Sequence, residues 1–343
     1  MGLLDVRGLV VEFDTPEGAV KAVNGLDFKL EEGETLAIVG ESGAGKSQMM
    51  MAIMGLLAEN GTARGEALFR GKDLMQMKPQ ELNAVRGKNI AMIFQDPMTS
   101  LNPYLTIEKQ MIEVVMHHQG LRKDEAREHA IEMLRAVRIP DPEERIRQYP
   151  HEYSGGMRQR VMIAMGLLCQ PDLLIADEPS TALDVTVQAQ ITQLVVELRE
   201  QTSMSMILIT HDLAVVAETC DRIIVMYAGE VVEAGTADDI FYRPQHPYTR
   251  GLLESVPRMD KDSDHELHAI PGNPPNLQDL PGGCHFRDRC GDAMEQCRAR
   301  PPLWLSDDGR MSRCFLPMEG GRLQAGEVLP DVPADTDGQG VDA

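Results

Sequence analysis

The sequence predicts an α/β fold, with a phosphate-binding loop at the carboxyl end of one strand. Three short apolar runs support this prediction, because each ends in residues suited to bind or cleave a nucleotide. The runs are residues 36–39, followed by the glycine-rich loop 40–47; residues 173–176, followed by Asp177 and Glu178; and residues 206–210, followed by His211. Parallel sheets place ligand-binding groups beyond the carboxyl ends of their strands. We therefore expect these three ends to meet at one site.

Length and composition set the limits of this prediction. The 343 residues are enough for one large domain and a smaller appendage, and 43% of them are hydrophobic. Lys and Arg number 33 against 54 Asp and Glu, a net charge of −21 that argues against a nucleic-acid-binding protein. No apolar run approaches the roughly 18 residues that span a bilayer, and no signal peptide is visible. We expect a cytosolic protein that reaches membranes only through partners.

The first segment of the chain is predicted to form β-strands. Residues 9–13 and 26–30 alternate between apolar and polar side chains, and glycine-containing turns separate them. Phe13 is a candidate platform for a nucleotide base, and a core aromatic on a strand is an equally good interpretation.

The loop at residues 40–47 matches the phosphate-binding pattern G-x-x-x-x-G-K-[ST] at every position. Its glycines keep Cβ atoms away, so that backbone N–H groups can surround phosphate oxygens. Lys46 would reach the β- and γ-phosphates, and the Ser47 hydroxyl would ligate Mg2+. The predicted nucleotide-binding residues are Gly40, Glu41, Ser42, Gly43, Ala44, Gly45, Lys46 and Ser47.

The other two strand ends carry the predicted catalytic groups. Asp177 would hold Mg2+ through water, and Glu178 would be the general base that polarises the attacking water. The alternative for Glu178 is a charge at the start of the next turn. His211 would contact the γ-phosphate, although a single histidine is often only structural.

Between these motifs, residues 98–150 are polar and helical, which predicts a helical insertion into the sheet domain. Ser154 is a candidate N-cap for a further helix, and the glycines that follow it leave the first N–H groups open to an anion.

In this order, the motifs of residues 3–240 resemble those of the nucleotide-binding subunit of ATP-binding cassette (ABC) transporters. The resemblance implies a P-loop NTPase cassette in residues 1–256, with a RecA-like mixed-sheet core, an N-terminal antiparallel β subdomain and a helical subdomain at about 96–165. It implies ATP as the nucleotide and adenine stacking by Phe13. It also implies three further motifs. A Q-loop glutamine, which acts on Mg2+ and in catalysis, corresponds to Gln95. The signature motif corresponds to Ser154, Gly155, Gly156, Met157, Arg158 and Gln159, and the D-loop corresponds to Ser180, Ala182, Leu183 and Asp184.

A narrower resemblance links residues 95–103, residues 243–249 and the C-terminal cysteines to dipeptide and oligopeptide importers. It implies an ATPase at the cytoplasmic face of the cell membrane, in a heterodimer with a second, related ATPase subunit. Two membrane permeases and a periplasmic or extracellular solute-binding protein would complete the transporter. ATP would lie between the loop of one ATPase subunit and the signature motif of the other. The alternatives are an importer ATPase for another solute such as nickel or glutathione, a non-transport ABC ATPase, and a metal-sensing ATPase.

Four of the six cysteines lie in residues 257–320, which are rich in Pro, Gly and charge. Cys284, Cys290, Cys297 and Cys314 do not follow the C-x2-C spacing of common zinc sites. The residues alone leave an iron–sulfur cluster, zinc or free thiols open. The resemblance implies a [4Fe–4S] cluster in a small Cys-rich C-terminal appendage. Residues 321–343 are predicted to be a disordered acidic tail.

Overall fold

The computed structural model describes residues 2–94, 100–179, 185–255, 269–316 and 321–323. The predicted α/β fold is confirmed, with two β-sheets and helices packed on the larger of them. The described strands are β1 (Leu4–Thr15), β2 (Gly18–Leu30), β3 (Thr35–Val39), β4 (Gly61–Phe69), β5 (Lys72–Asp73), β6 (Ile90–Ile93), β7 (Leu173–Asp177), β8 (Ser205–Ile209), β9 (Arg222–Tyr227), β10 (Glu230–Thr236), β11 (Leu303–Leu305), β12 (Met311–Arg313) and β13 (Arg322–Leu323).

The N-terminal strands form the expected antiparallel sheet. Its order is β2-β1-β4-β5, and Val11 on the central strand β1 pairs with Val23 on one side and Ala63 on the other. Buried and exposed residues alternate along much of β1 and β2, since only one face of this sheet is covered.

The larger sheet has the order β13-β11-β12-β10-β9-β3-β8-β7-β6. Strands β6, β7, β8, β3 and β9 run parallel, whereas β10 turns back against β9 in a hairpin. Ile209 at the end of β8 pairs with Ile38 of β3 and with Asp177 of β7. The carboxyl ends of these three strands therefore lie side by side.

Helices cover the larger sheet. The described α-helices are α1 (Lys46–Ile53), α2 (Pro79–Val85), α3 (Ile107–Gln119), α4 (Lys123–Ala136), α5 (Pro142–Arg145), α6 (Gly155–Leu167), α7 (Val185–Glu200), α8 (Leu213–Thr219), α9 (Ala237–Tyr242) and α10 (Pro247–Glu254). Helices α3 to α5 lie within residues 98–150, the segment in which the sequence predicts a helical insertion.

Successive residues of the parallel strands face two different cores. On β7, Leu173 and Ile175 pack with α1 and the N-terminal sheet, whereas Leu174 and Ala176 pack with helices α3, α4, α6, α7 and α8. Strands buried on both faces are nearly continuous apolar runs, which is the pattern seen here. The double burial fixes the strand ends that carry the candidate site.

The Cys-rich region packs more closely against the core than the sequence predicts for a small appendage. Strand β12 pairs with β10 through Glu233 and Ser312, and β11 pairs with β12, so the region extends the main sheet. Arg322 and Leu323, which the sequence assigns to the acidic tail, form β13 against β11. Residues 324–343 lie outside the described part of the chain.

The sequence predicts no membrane-spanning segment. Within residues 2–94, 100–179, 185–255, 269–316 and 321–323, none of the helices combines the length and the apolarity that crossing a bilayer requires.

A buried histidine caps helix α10 and provides a pH test of the fold. His246 is 1% exposed, its Nδ1 accepts a hydrogen bond from Tyr248 N at 3.1 Å, and its backbone N–H donates to Glu233 Oε2 at 2.9 Å. Burial, together with the charge of Arg250, lowers the pKa of His246 from 6.5 to about 3. The folded protein therefore keeps this ring neutral at pH values where the unfolded chain protonates it.

We expect the stability contributed by neutral His246 to be complete above pH 6.5 and to be lost as pH falls towards 3. The loss approaches about 1.4 kcal/mol per pH unit, because the unfolded state binds the extra proton. His246→Asn, which retains a capping acceptor, should lose less stability than wild type between pH 7 and 5 in urea unfolding. His151→Asn, at an exposed position, should follow the wild-type slope. Parallel curves for wild type and His246→Asn would contradict the assignment.

Candidate active site

The phosphate-binding loop lies between β3 and α1, where the sequence predicts it. Two of its glycines are required by close contacts as well as by backbone angles. A Cβ at Gly45 (φ +94°) would lie 2.1 Å from the carbonyl oxygen of Ala22, and one at Gly40 would lie 2.3 Å from that of Met226. No side chain fits at either position, so the N-terminal sheet and β9 both press against the loop.

Lys46, at the first turn of α1, is 6% exposed. Its ammonium donates to the carbonyl oxygens of Gly40 (2.7 Å) and Glu41 (2.9 Å). Burial lowers the pKa of Lys46, while the negative charges of Glu178, Asp177 and Glu41 act in the opposite direction. The loop thus holds a buried cation directly over the space that it surrounds, as phosphate binding requires.

Ser47 and Asp177 meet across the sheet. The Ser47 hydroxyl donates to Asp177 Oδ1 at 2.9 Å, although 130 residues separate them. Asp177 is 3% exposed, and burial raises its pKa while the Ser47 hydrogen bond opposes that shift. A hydroxyl and a carboxylate in contact fit the hard oxygen ligands that Mg2+ prefers, and few protein ligands suffice because Mg2+ retains several waters.

Glu178 and His211 form the other half of the site. His211 Nδ1 lies 3.7 Å from Glu178 Oε1, and the side chain of His211 is 61% exposed. Glu178 has φ +44°, in the left-handed region that costs a non-glycine residue about 1–2 kcal/mol. Its N–H donates to Ile209 O (2.8 Å), which ties the strained residue to β8. Such strain often marks functional residues.

Phe13 borders a cleft of about 710 Å³ over the loop. The lining includes the apolar side chains of Phe13, Val20 and Leu277, and also residues 42–48, Glu178 and His211. A Cβ at Gly61 would lie 2.7 Å from the Phe13 ring, so this glycine lets the ring lie against β4. Phe13 also packs on the core beside the N-terminal sheet. It is accordingly placed both to contact a base and to contribute to the core.

The predicted signature residues stand at the N-terminus of α6. Ser154 caps the helix by accepting from Met157 N at 3.4 Å, and Ser154 and Gly155 are exposed. Tyr153 is buried and donates its hydroxyl to Arg145 O at 2.7 Å. Gln159 is fully buried and donates to Pro179 O. None of residues 154–159 appears among the described residues that line the cleft over the loop.

Several predicted site residues fall outside the described part of the chain. These are Gln95, Ser180, Ala182, Leu183 and Asp184. Their roles stay predictions.

The four C-terminal cysteines are free thiols that lie near one another. Burial raises the pKa of Cys284 to about 12, and the charges of Cys297, Cys314 and Cys290 add to this effect. Backbone N–H groups of Met294 and Leu316 lie 3.4 and 3.5 Å from the sulfurs of Cys297 and Cys314. Even so, within the described residues no three His, Cys, Asp or Glu side chains are arranged to hold a metal ion. Among the described residues, the structure by itself thus shows neither a cluster site nor a zinc site.

Three residues near the site were not predicted from the sequence. Leu277 lines the cleft, Arg289 pairs with Glu41, and the Tyr248 hydroxyl accepts from Glu41 N at 2.8 Å. They lie more than 200 positions beyond the loop. A sequence signal existed only for Tyr248, which belongs to the segment 243–249 that resembles peptide importers.

Comparison with known proteins agrees with this geometry. The family model "ABC transporter" matches residues 23–181, and "Oligopeptide/dipeptide transporter, C-terminal region" matches residues 232–297. The chain is 56% identical to the oligopeptide transport ATP-binding protein OppD of Salmonella typhimurium, over 92% of this chain and 94% of that protein. It is 52% identical to the dipeptide transport ATP-binding protein DppD of Bacillus subtilis, with the same two coverages.

Solved structures show the same fold. A dimeric ATP-binding cassette in a post-hydrolysis state, bound to ADP and Pi, superposes with a TM-score of 0.62 at 28% identity. The superposition covers 68% of this chain and 98% of that one.

The two interpretations of Phe13 predict different effects of Phe13→Ala. If the ring stacks on adenine, ATP should bind roughly 5- to 150-fold more weakly, since stacking of a base on an aromatic ring contributes about 1–3 kcal/mol. Inorganic triphosphate, which has no base, should bind as before, and Phe13→Tyr should retain most of the ATP affinity. Isothermal titration of the three proteins measures this. Lower thermal stability with unchanged ATP affinity would show that Phe13 serves only the core.

Proposed function

Since this chain belongs to the family of ABC transporter ATP-binding proteins, as its 56% identity to OppD over 92% of its length shows, we propose that it hydrolyses ATP to power the import of peptides. The contact between Ser47 and Asp177, beside buried Lys46, is the observation that carries the ATPase assignment. The match of residues 232–297 to the oligopeptide/dipeptide C-terminal region favours peptides over nickel or glutathione as the solute.

Each predicted residue has a role in this proposal that its surroundings support. Lys46 binds the β- and γ-phosphates, since its buried ammonium already lies among carbonyl oxygens of the loop. Ser47 and Asp177 hold Mg2+, which neutralises charge that develops on the phosphates. Glu178 polarises the attacking water and His211 contacts the γ-phosphate, a division of roles that their 3.7 Å separation allows.

The site is proposed to be completed by a second subunit. Ser154 and Gly155 are exposed at the N-terminus of a 13-residue helix, where unpaired N–H groups and the helix dipole favour an anion. The dimeric state of the related cassette bound to ADP and Pi supports the same arrangement. We propose that residues 154–159 contact ATP held by the loop of a homologous partner, in a heterodimer whose closure depends on the bound nucleotide.

The remaining components follow from the family. The ATPase pair would stand at the cytoplasmic face of the cell membrane beneath two permeases, with a solute-binding protein on the other side. Residues 1–256 would form the nucleotide-binding domain, with a helical subdomain at about 96–165 whose residues 96–150 contact a permease. Residues 257–320 would form the Cys-rich region.

We further propose that Cys284, Cys290, Cys297 and Cys314 hold a [4Fe–4S] cluster, with zinc as the alternative. Four thiols that influence one another's charge support this, as do backbone N–H groups near two of the sulfurs.

The substitution Glu178→Gln tests the role of this carboxylate as general base. The variant should bind ATP with wild-type affinity but hydrolyse it roughly 10²- to 10⁴-fold more slowly, because general base catalysis contributes about that factor. Turnover is measured in the transporter assembled with its permeases and solute-binding protein, together with peptide uptake. Glu218→Gln, an exposed change on α8, serves as the matched control. Wild-type turnover in Glu178→Gln would remove Glu178 from the role of base.

The iron and sulfide content of the purified protein tests the proposed cluster. Anaerobically purified protein should contain about four iron and four acid-labile sulfide per chain. Single Ser substitutions at Cys284, Cys290, Cys297 or Cys314 should lower both, whereas Cys169→Ser and Cys220→Ser, at isolated buried thiols, should not. One zinc per chain without sulfide would establish the alternative, and protein free of both would contradict the proposal.

A further inference from the structure

An ion pair joins the Cys-rich region to the phosphate-binding loop. Both guanidinium nitrogens of Arg289 contact the carboxylate of Glu41, with Nη1 to Oε2 at 2.6 Å and Nη2 to Oε1 at 2.8 Å. Arg289 is 8% exposed, and its Nε donates to Pro271 O at 2.8 Å while Nη1 also reaches the Tyr227 hydroxyl at 3.3 Å. Such two-pronged pairs are the most strongly oriented of charged hydrogen bonds.

Glu41 is a carboxylate inside a loop built to bind an anion. Its carbonyl oxygen accepts from Lys46 Nζ at 2.9 Å, so the residue adjoins the cation that should receive the phosphates. Its N–H donates to Tyr248 and is thereby directed away from the phosphate space. An unpaired negative charge at this place would repel a triphosphate and weaken its binding.

The Cys-rich region borders the same site at a second place. Leu277 lines the cleft, and Gln278 Nε2 donates to Thr15 Oγ1 at 3.3 Å on β1. Arg289 itself precedes Cys290 and closes a 3-10 turn at Arg287–Arg289. The position of its guanidinium therefore depends on how this region folds.

We propose that Arg289 is a positioning residue for ATP binding: it neutralises Glu41 and fixes the phosphate-binding loop, so that the Cys-rich region sets the affinity of the site for nucleotide. This inference rests on the proposed ATPase function. The Cys-rich region would then influence nucleotide binding, in addition to holding any metal that its cysteines bind.

Charge compensation has a signature that a purely structural tie lacks. Repulsion from an unpaired Glu41 grows with the negative charge of the ligand, so ATP should be affected more than ADP, and ADP more than AMP. A tie that only holds the region in place would change the binding of all three nucleotides alike. Removal of the Glu41 charge should also reverse the effect.

The experiment measures the affinities of ATP, ADP and AMP by displacement of a fluorescent ATP analogue from the full-length chain. Arg289→Ala should weaken ATP binding on the order of tenfold and AMP binding hardly at all. Arg289→Lys, which keeps the charge, should retain most of the ATP affinity. Glu41→Gln should bind ATP at least as tightly as wild type, and the double variant Glu41→Gln with Arg289→Ala should regain most of the lost affinity.

Arg250→Ala is the matched control, because it breaks a 2.9 Å pair with Asp292 that also reaches the Cys-rich region but is far more exposed. It should bind all three nucleotides like wild type. Equal losses for the three nucleotides in Arg289→Ala, or no recovery in the double variant, would overturn the inference. If Arg289→Ala does not fold, Glu41→Gln decides: weaker ATP binding by this variant would overturn it.

Failure of the proposed function gives a different result. In that case wild-type protein would not bind ATP, or Lys46→Ala would bind it equally well. Wild-type binding that is lost in Lys46→Ala, with no effect of Arg289→Ala, would leave the ATPase assignment intact and reject only the role of Arg289.

Discussion

The alignment of three parallel strand ends is the constraint on which the rest of this structure depends. Ile209 pairs with both Ile38 and Asp177, so β3, β8 and β7 end at the same level. The loop after β3 is therefore brought against Asp177, and the residue after β7 is brought to His211. Burial of these strands on both faces holds the alignment, because a shift by one residue would move each side chain into the opposite core.

The electrostatics of the site follow from that alignment. Lys46 carries a positive charge, and Asp177 and Glu178 carry negative charges, in a small, largely buried space. Burial lowers the pKa of Lys46 and raises that of Asp177, and both shifts disfavour the charged form of the group. Such a site is well prepared for a ligand that is itself highly charged and arrives with a divalent cation. The N-terminus of α6 is exposed, and in the proposed dimer it would contact the nucleotide held by the other chain.

The Cys-rich region is part of this arrangement. Its strands β11 and β12 continue the main sheet beyond β10. Leu277 lines the nucleotide cleft, Gln278 donates to Thr15 in the same lining, and Arg289 pairs with Glu41 of the phosphate-binding loop. The aromatic rings of Tyr227, Tyr248 and Phe286 pack against one another beneath the Glu41 ion pair and link α10, β9 and the cysteine segment. The loop is thus supported from the side of the C-terminal region as well as from the N-terminal sheet.

The sequence by itself determined the α/β class, the phosphate-binding loop, the pair Asp177 and Glu178, His211 and the N-terminal antiparallel strands. These features are local: each is a short apolar run with a characteristic ending, and strand or loop formation needs only neighbouring residues. Tertiary structure alone decided that the Cys-rich region extends the main sheet, that Leu277 lines the nucleotide cleft and that Arg289 pairs with Glu41. Neither residue belongs to a periodic or motif-like pattern, and contacts between positions 41 and 289 arise only when the whole sheet has assembled. Sequence patterns record the local preferences of the chain, whereas such long-range pairings depend on the packing of elements that are far apart along it.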